Sequence, residues 1–232
     1  MTPHASDSPV ATGVLFDLDG TLVDTAPDMV AILQEMRRER GLTPIRYELG
    51  RANVSNGAIG LLSVGLPDEK AEFNSPLHLE YLKRYEKRVC VDSRLFSGLE
   101  NLLETLESRA IPWGIVTNKP ERLTMPLLRV LGLDRRTACT VCGDSLPERK
   151  PHPAPMFHAC ELAAMTAADT ICVGDAARDI EAGRAAGMTT IAVAYGYITD
   201  DDDVTNWGAD HIAANTAELA QIVLKAVTLS TL

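Results

Sequence analysis

Short, mostly apolar runs recur along the chain and alternate with longer segments of mixed apolar and polar positions. Each run has the length and the flanking turn residues of a buried strand. The runs lie at residues 13–16, 113–117, 140–143, 170–174 and 189–194. Parallel strands that are covered by helices on both faces have continuous apolar sequences of this kind. The pattern therefore predicts an α/β fold built on a doubly wound parallel sheet.

Several segments between these runs have helical periodicity. Leucines recur at intervals of three and four residues in two of them: Leu99, Leu102, Leu103 and Leu106, then Leu123, Leu127, Leu128 and Leu131. Gly132 follows the second set, and glycine often ends a helix because it adopts the left-handed conformation easily. Residues 180–186 predict a further helix that ends at Gly187. We expect these helices to cover the sheet.

The segment from residue 25 to residue 95 has helical patterns and no strand candidate. Pro27 suits the first turn of a helix, and an apolar stripe follows it at Met29, Ile32, Leu33 and Met36. Further helical patterns occur at residues 61–64 and 77–89. We therefore predict an all-helical insertion, residues 25–95, placed after the first strand. Residues 1–24 and 96–232 are then predicted to form the core.

The charge of the chain restricts its partners. Its 232 residues carry a formal net charge of −10, with a pI of about 5.0. A field of this sign repels nucleic acid and anionic membranes, so we expect neither as a partner. A phosphorylated metabolite would be repelled as well. A site for such a metabolite needs local positive charge from a metal ion, a lysine or a helix N-terminus.

The termini and the cysteines indicate a cytoplasmic protein. Residues 1–9 are polar and not basic, so no signal peptide is predicted, and no stretch is long enough to span a bilayer. The chain has five scattered cysteines, which we expect to be reduced thiols. Cys139 and Cys142 are spaced like a redox or zinc pair, but no second pair accompanies them. We interpret them as small apolar residues of a strand.

The strongest chemical signal is a pair of carboxylates directly after the first strand. Asp17 and Asp19 are two residues apart, and Gly20 permits a sharp turn behind them. Ligands of doubly wound sheets collect at the carboxyl ends of the strands. Two buried carboxylates repel each other unless a cation or a proton lies between them, and Mg²⁺ prefers oxygen ligands. The alternative is a loop whose acids merely cap a helix.

Three later strand ends also carry polar groups. Thr117 and Asn118 follow the second predicted strand, and Lys150 precedes a predicted helix. Asp175 and Asp179 follow the strand at residues 170–174. Each group has an ordinary explanation on its own, such as a helix cap or a surface charge. Their appearance at four successive strand ends predicts a single site.

These four motifs resemble those of the haloacid dehalogenase superfamily of phosphohydrolases, in order and across nearly the whole chain. The resemblance implies a Rossmann-like core, a Mg²⁺ cofactor and an aspartyl-phosphate formed on Asp17. Asp19 would protonate the leaving alcohol and then activate water. The metal ligands would be Asp17, the backbone carbonyl of Asp19, and Asp175. Asp179 would support the metal site or orient the motif lysine.

The resemblance also assigns the phosphate-binding groups, which would be Thr117, Asn118 and Lys150. Dehalogenases of the superfamily need no acid at the position of Asp19, so its presence favours phosphoryl chemistry. Two alternatives remain open. A sugar-phosphate mutase would share the motifs, and a non-catalytic phospho-ligand binder would share the fold.

The helical insertion occupies the position of the small C1-type cap in this superfamily, which closes over the site and supplies specificity. We predict that residues 50–57 face the substrate, with Arg51, Asn56 and Gly57 as contacts. Polar groups and a glycine before an apolar helix suit such a role. The alternative is an ordinary turn between two helices, and the sequence favours neither.

Shorter strings resemble particular subgroups. The overall arrangement is similar to the phosphoglycolate phosphatases. Four strings are more similar to the N-acetylmuramic acid 6-phosphate phosphatases of cell-wall recycling: residues 94–98, 116–120, 195–198 and 206–210. The resemblance implies a small sugar-acid phosphate, N-acetylmuramic acid 6-phosphate, as substrate in peptidoglycan recycling, with 2-phosphoglycolate as the alternative. Ala176 and Ala177 depart from the pattern, because relatives often carry a polar residue there, which leaves the support of Asp175 open.

Overall fold

The structure is a computed structural model that describes residues 11–228. The strands are β1 (Gly13–Phe16), β2 (Val23–Asp24), β3 (Arg94–Leu95), β4 (Trp113–Val116), β5 (Cys139–Val141), β6 (Thr170–Gly174), β7 (Thr189–Val193) and β8 (His211–Ala213). The α-helices are α1 (Ala26–Glu39), α2 (Tyr47–Ala52), α3 (Gly57–Gly65), α4 (Pro76–Glu86), α5 (Leu99–Ser108), α6 (Glu121–Leu131), α7 (Ala154–Leu162), α8 (Ala177–Ala185) and α9 (Thr216–Thr228). Predictions about residues 1–10 and 229–232, including the absence of a signal peptide, lie outside this range.

Six strands form one parallel sheet in the order β5-β4-β1-β6-β7-β8. Strand β1 lies between β4 and β6, and Leu15 pairs with Gly114 on one side and Cys172 on the other. The chain winds outward in both directions from β1, which makes its carboxyl end a topological switch point. The predicted α/β class is confirmed. Helices flank the sheet as its apolar strands require.

The predicted helices of the core are observed with small differences at their ends. The leucines of the stripe on α5 and three of the four on α6 are buried. Helix α6 ends at Gly132, which has a φ of +70°. Helix α8 ends at Ala185, two residues before Gly187. Among residues 11–228, no helix combines the length and apolar character that a bilayer crossing requires.

Helices α1 to α4 and the short 3-10 turn Val54–Asn56 occupy the predicted helical insertion. The apolar stripe of α1 is buried, and α1 packs against α3 and α4. Strands β2 and β3 form an antiparallel pair in which Asp24 lies opposite Arg94. This pair joins the two ends of the insertion at its base, next to the carboxyl end of β1. We did not predict it, since two-residue strands leave no periodic pattern.

Two further details differ from the sequence prediction. Strand β8 was not predicted, because it is only three residues long at the sheet edge, with His211 and Ile212 exposed. Strand β5 begins and ends earlier than predicted, so Cys139 lies within it and Cys142 directly after it. Both cysteines are buried free thiols.

Candidate active site

The carboxyl ends of β1 and β4 hold a buried ion-pair network. Asp17 follows β1, and its amide donates a hydrogen bond of 2.9 Å to the Val173 carbonyl. The Lys150 ammonium lies 2.7 Å from Oδ1 of Asp17 and 2.7 Å from Oδ1 of Asp179. It also donates to the Val116 carbonyl at the end of β4. Lys150 is therefore held between the carboxylates of Asp17 and Asp179.

Three carboxylates converge at this edge of the sheet. Asp17, Asp175 and Asp179 each place one oxygen within 4.8 Å of the others, and all three are buried. An all-oxygen donor set with an excess of negative charge suits a hard divalent cation such as Mg²⁺. Asp17 and Asp175, which the sequence predicts at a single site, lie together here. The side chain of Asp19 lies outside this cluster, and the resemblance assigned only its backbone carbonyl to the metal.

The electrostatics of the cluster also favour a cation. Burial raises the pKa of Asp17 to about 6, although the Lys150 ammonium opposes the rise. Burial also raises the pKa of Asp175 to about 7, and the nearby Asp17 and Asp179 carboxylates add to the effect. A bound divalent ion would offset the repulsion that produces these shifts.

Glycine lets the backbone approach Asp175 closely. Gly20 has a φ of +88°, and a Cβ atom there would overlap the Asp175 carboxylate. The carboxylate accepts hydrogen bonds from Tyr197 N at 2.8 Å, Ser55 Oγ at 2.7 Å and Thr21 Oγ1 at 3.4 Å. These donors support Asp175 where Ala176 offers no polar side chain. Nothing local in the sequence marks Ser55, Thr21 or Tyr197 as neighbours of Asp175, so these contacts were not predicted.

Asp19 has partners of its own on the cavity wall. Its Oδ1 accepts from Thr25 Oγ1 at 2.6 Å and from Lys119 Nζ at 2.9 Å. Lys119 is buried and also donates to the Tyr85 hydroxyl at 3.1 Å. Lys119 directly follows the predicted motif Thr117-Asn118, which was the only signal in the sequence. Lys119 was not among the predicted site residues.

The predicted phosphate-binding residues lie together. Thr117 is buried at the end of β4, and its Oγ1 accepts a hydrogen bond of 3.2 Å from the Lys119 amide. The Asn118 amide group donates 2.9 Å to the Lys150 carbonyl. Asn118 thus holds the turn that carries Lys150. Both Thr117 and Asn118 line a cavity at this edge of the sheet.

A cavity of about 580 Å³ lies between the helical insertion and the carboxyl ends of the strands. Asp17, Asp19 and Thr117 line its core side. The opposite side is mostly apolar and includes Val54, Ile59, Phe73 and Leu82. Its lining also contains three arginines: Arg122, Arg149 and Arg178. The cavity can thus hold an anionic ligand with an apolar part.

The structure separates the three residues predicted from the insertion. Asn56 and Gly57 line the cavity. Arg51 is not part of the lining and instead donates 2.9 Å hydrogen bonds to the Tyr195 and Gly196 carbonyls. Its guanidinium lies 4.9 Å from the centroid of the Tyr197 ring. Arg51 therefore fastens the insertion to the core. Residues 50–57 form the end of α2 and a 3-10 turn rather than an open loop.

Comparisons with known proteins show which family this chain resembles. The family model described as haloacid dehalogenase-like hydrolase matches residues 14–193. An N-acetylmuramic acid 6-phosphate phosphatase from Pseudomonas putida is 43% identical over 90% of this chain and 95% of its own length. A phosphoglycolate phosphatase from Xanthomonas campestris is 44% identical over 89% of this chain and 93% of its own.

Solved structures give the same result. The crystal structure of a predicted phosphoglycolate phosphatase from Haemophilus somnus superposes with a TM-score of 0.78 at 27% identity, covering 91% of this chain and 97% of that one. The resemblance drawn from the motifs is confirmed, and so is the prediction of a phosphatase. Since the family model spans well over half of its length, the chain belongs to the haloacid dehalogenase-like hydrolase family.

Proposed function

We propose that this protein is a Mg²⁺-dependent phosphomonoester hydrolase that works through an aspartyl-phosphate on Asp17. The observation that carries the proposal is the buried cluster of Asp17, Asp175 and Asp179, in which Lys150 bridges Asp17 and Asp179 and Asp17 lines the cavity. Buried like charges at this density need a cation, and the donor set suits Mg²⁺. When bound, the ion would neutralise charge on the phosphoryl oxygens.

The proposed reaction has two balanced steps. In the first, an oxygen of Asp17 attacks phosphorus, the ester P–O bond breaks, and Asp19 gives its proton to the leaving alkoxide. In the second, water attacks the phosphorus of the aspartyl-phosphate and passes a proton to Asp19. The bond between phosphorus and Asp17 then breaks and inorganic phosphate leaves. Lys150 and Thr117 would hold the phosphoryl oxygens through both steps.

We further propose that residues 25–95 act as a cap over a core formed by the rest of the chain. The insertion is joined to the core by the β2–β3 pair and covers the cavity with α3 and α4. Such a lid would exclude water from the aspartyl-phosphate until the leaving group has departed. Asn56 and Gly57 remain the proposed substrate contacts from this segment.

The proposed substrate is N-acetylmuramic acid 6-phosphate. A cavity of about 580 Å³ lies within the roughly 300–1,000 Å³ typical of small-molecule sites. A two-carbon substrate would leave most of it unfilled. The apolar side of the cavity suits the sugar ring and the acetyl methyl group, and the arginines suit a carboxylate. The P. putida relative carries the same substrate in its name.

The second candidate is 2-phosphoglycolate. The observation that favours it is the X. campestris relative, whose name gives this activity at 44% identity. Both candidates join a phosphate ester to a carboxylate, so the same catalytic groups serve either. The difference between them lies in how much of the cavity the substrate fills.

Release of inorganic phosphate from a panel of phosphorylated metabolites tests the proposal. N-acetylmuramic acid 6-phosphate should give the highest kcat/KM, since specificity is set by that ratio. A higher value for 2-phosphoglycolate would overturn the substrate assignment. A product that keeps its phosphate would indicate a mutase, and binding without turnover would indicate a non-catalytic binder.

We also propose a cytoplasmic location. All five cysteines lie within residues 11–228, where each is a free thiol and four of them are buried. The reducing cytoplasm is where such thiols persist. The expected partner is a small phosphorylated metabolite rather than nucleic acid, since the chain carries a net charge of −10.

A further inference from the structure

Three elements meet at the side chain of Asp19. Lys119, after β4, places its ammonium 2.9 Å from Oδ1 and 3.2 Å from Oδ2 of Asp19. Thr25, before α1, donates to Oδ1 at 2.6 Å. Tyr85, on α4 of the insertion, accepts from Lys119 through its hydroxyl and places its ring centroid 4.7 Å from the Lys119 nitrogen. Core and insertion thus share one charged cluster.

Lys119 and Tyr85 are buried in this cluster, whereas Asp19 is partly exposed. Burial disfavours the ammonium, but the Asp19 carboxylate and Tyr85 together raise the pKa of Lys119 above its ordinary value. Burial raises the pKa of Tyr85 to about 12, so its phenol keeps its proton at neutral pH. An ammonium so placed forms strong, directional hydrogen bonds with its partners.

The two oxygens of Asp19 are used unequally. Oδ1 receives both the Thr25 hydroxyl and the shorter Lys119 contact, whereas the one partner of Oδ2 among residues 11–228 is Lys119, at 3.2 Å. Oδ2 is therefore the oxygen left for proton exchange with a leaving group in the cavity. The groups that hold Oδ1 decide where Oδ2 points.

We propose that Lys119 is a positioning residue that orients the Asp19 carboxylate toward the leaving-group oxygen. Through its contact with Lys119, Tyr85 makes this orientation depend on the insertion being packed against the core. The inference rests on the proposed function, because it assigns Asp19 the role of general acid and base. Lys119 acts through Asp19, so its effect should appear only in steps that need proton transfer. An ion pair with a purely structural role would affect all steps alike.

The leaving group of the substrate separates these possibilities. An alkyl phosphate needs a general acid to expel its alkoxide, while p-nitrophenyl phosphate expels a stable anion without one. For Lys119→Met we expect kcat/KM to fall about 10- to 100-fold on the alkyl phosphate and less than about 3-fold on p-nitrophenyl phosphate. An equal fall on both substrates would overturn the proposal.

A double-mutant cycle tests whether Lys119 acts through Asp19. Asp19→Asn should show the same dependence on the leaving group, and adding Lys119→Met to it should cause little further loss of kcat/KM. Losses that multiply in the double variant would overturn the proposal. If Asp19→Asn itself shows no dependence on the leaving group, the proposed function fails rather than this inference.

Tyr85→Phe keeps the ring and removes only the hydroxyl, so it tests the link to the insertion even if Lys119→Met fails to fold. We expect the same selective loss on the alkyl phosphate, smaller in size. The matched control is Tyr81→Phe, which removes an equally buried hydroxyl from the same helix, bonded to the Met29 carbonyl at 2.8 Å. If the loss of kcat/KM on the alkyl phosphate, relative to that on p-nitrophenyl phosphate, is equal in Tyr85→Phe and Tyr81→Phe, the role of Tyr85 is contradicted.

Discussion

Ser55 of the helical insertion donates a 2.7 Å hydrogen bond to Oδ2 of Asp175, a member of the buried carboxylate cluster. Arg178, on α8 of the core, donates in turn to the Ser55 carbonyl at 2.9 Å. The insertion therefore touches the proposed metal site directly. The position of the insertion and the charge of the site are coupled through one hydroxyl.

Removing that hydroxyl should weaken metal binding. The Ser55 hydrogen bond favours the ionised form of Asp175, which is the form that binds a cation. For Ser55→Ala we expect the affinity for Mg²⁺ to fall by about 10-fold, as for other groups that support metal ligands. Isothermal titration of Mg²⁺ into the protein measures this change.

The matched control for Ser55→Ala is Ser63→Ala. Ser63 lies on α3 of the same insertion, is exposed, and bonds only to the Ile59 carbonyl of its own helix. We expect its Mg²⁺ affinity to equal that of the unmodified protein. Unchanged affinity in Ser55→Ala, or an equal loss in both variants, would show that the hydrogen bond to Asp175 does not support the metal site.

The stabilising effect of Mg²⁺ should depend on pH. Burial raises the pKa of Asp17 to about 6 and the pKa of Asp175 to about 7, so the folded state favours the protonated form of both groups. Their contribution to the free energy of unfolding is therefore present at low pH. That contribution is lost as pH rises through these values, since buried charges then appear. Mg²⁺ binds the charged forms, so the rise in Tm on adding Mg²⁺ should grow between about pH 5 and pH 8.

Thermal unfolding with and without Mg²⁺ across this pH range checks the prediction. Asp175→Asn provides the comparison, since it removes one of the titrating groups, and its Mg²⁺-dependent rise in Tm should be small at every pH. If the increase in Tm that Mg²⁺ causes in the unmodified protein does not change with pH, the account of the buried carboxylates is contradicted.

Much of the catalytic site could be predicted from the sequence, for a topological reason. Parallel strands end at one edge of the sheet, so residues that follow β1, β4 and β6 must lie near one another. Asp17, Thr117 and Asp175 were therefore placed together before any distance was known. Lys150 and Asp179 were added by the same motif order, and the structure brings all five to one edge.

Contacts between the insertion and the core could not be predicted in this way. They depend on how the insertion packs against the core. The sequence around Ser55, Tyr85 and Tyr197 does not indicate which distant residues these side chains contact. Arg51 shows the limit most clearly. Its place in residues 50–57 suggested a substrate contact, but in the structure its guanidinium donates to backbone carbonyls of the core.

Arg149 provides a test of substrate recognition. It is exposed at the cavity lining, and its guanidinium lies 6.0 Å from the ring centroid of Phe73 on the insertion. If it binds the lactyl carboxylate, Arg149→Ala should lower kcat/KM for N-acetylmuramic acid 6-phosphate by about 10-fold or more. The value for N-acetylglucosamine 6-phosphate, which lacks that carboxylate, should change little.

Arg135→Ala is the control for charge alone. Arg135 is an exposed arginine in the turn after α6 and lies outside the cavity lining. It should leave the ratio of the two kcat/KM values unchanged. The same ratio in Arg149→Ala as in the unmodified protein would indicate that another group recognises the carboxylate.

The central claim is that the phosphoryl group passes through Asp17, and rapid acid quenching followed by peptide mass spectrometry tests it most directly. Within the first turnover with Mg²⁺ present, we predict a phosphoryl group on the peptide that contains Asp17, and none in Asp17→Asn, which should release no phosphate. Phosphate release at the normal rate by Asp17→Asn, or a first turnover without modification of Asp17, would contradict the account.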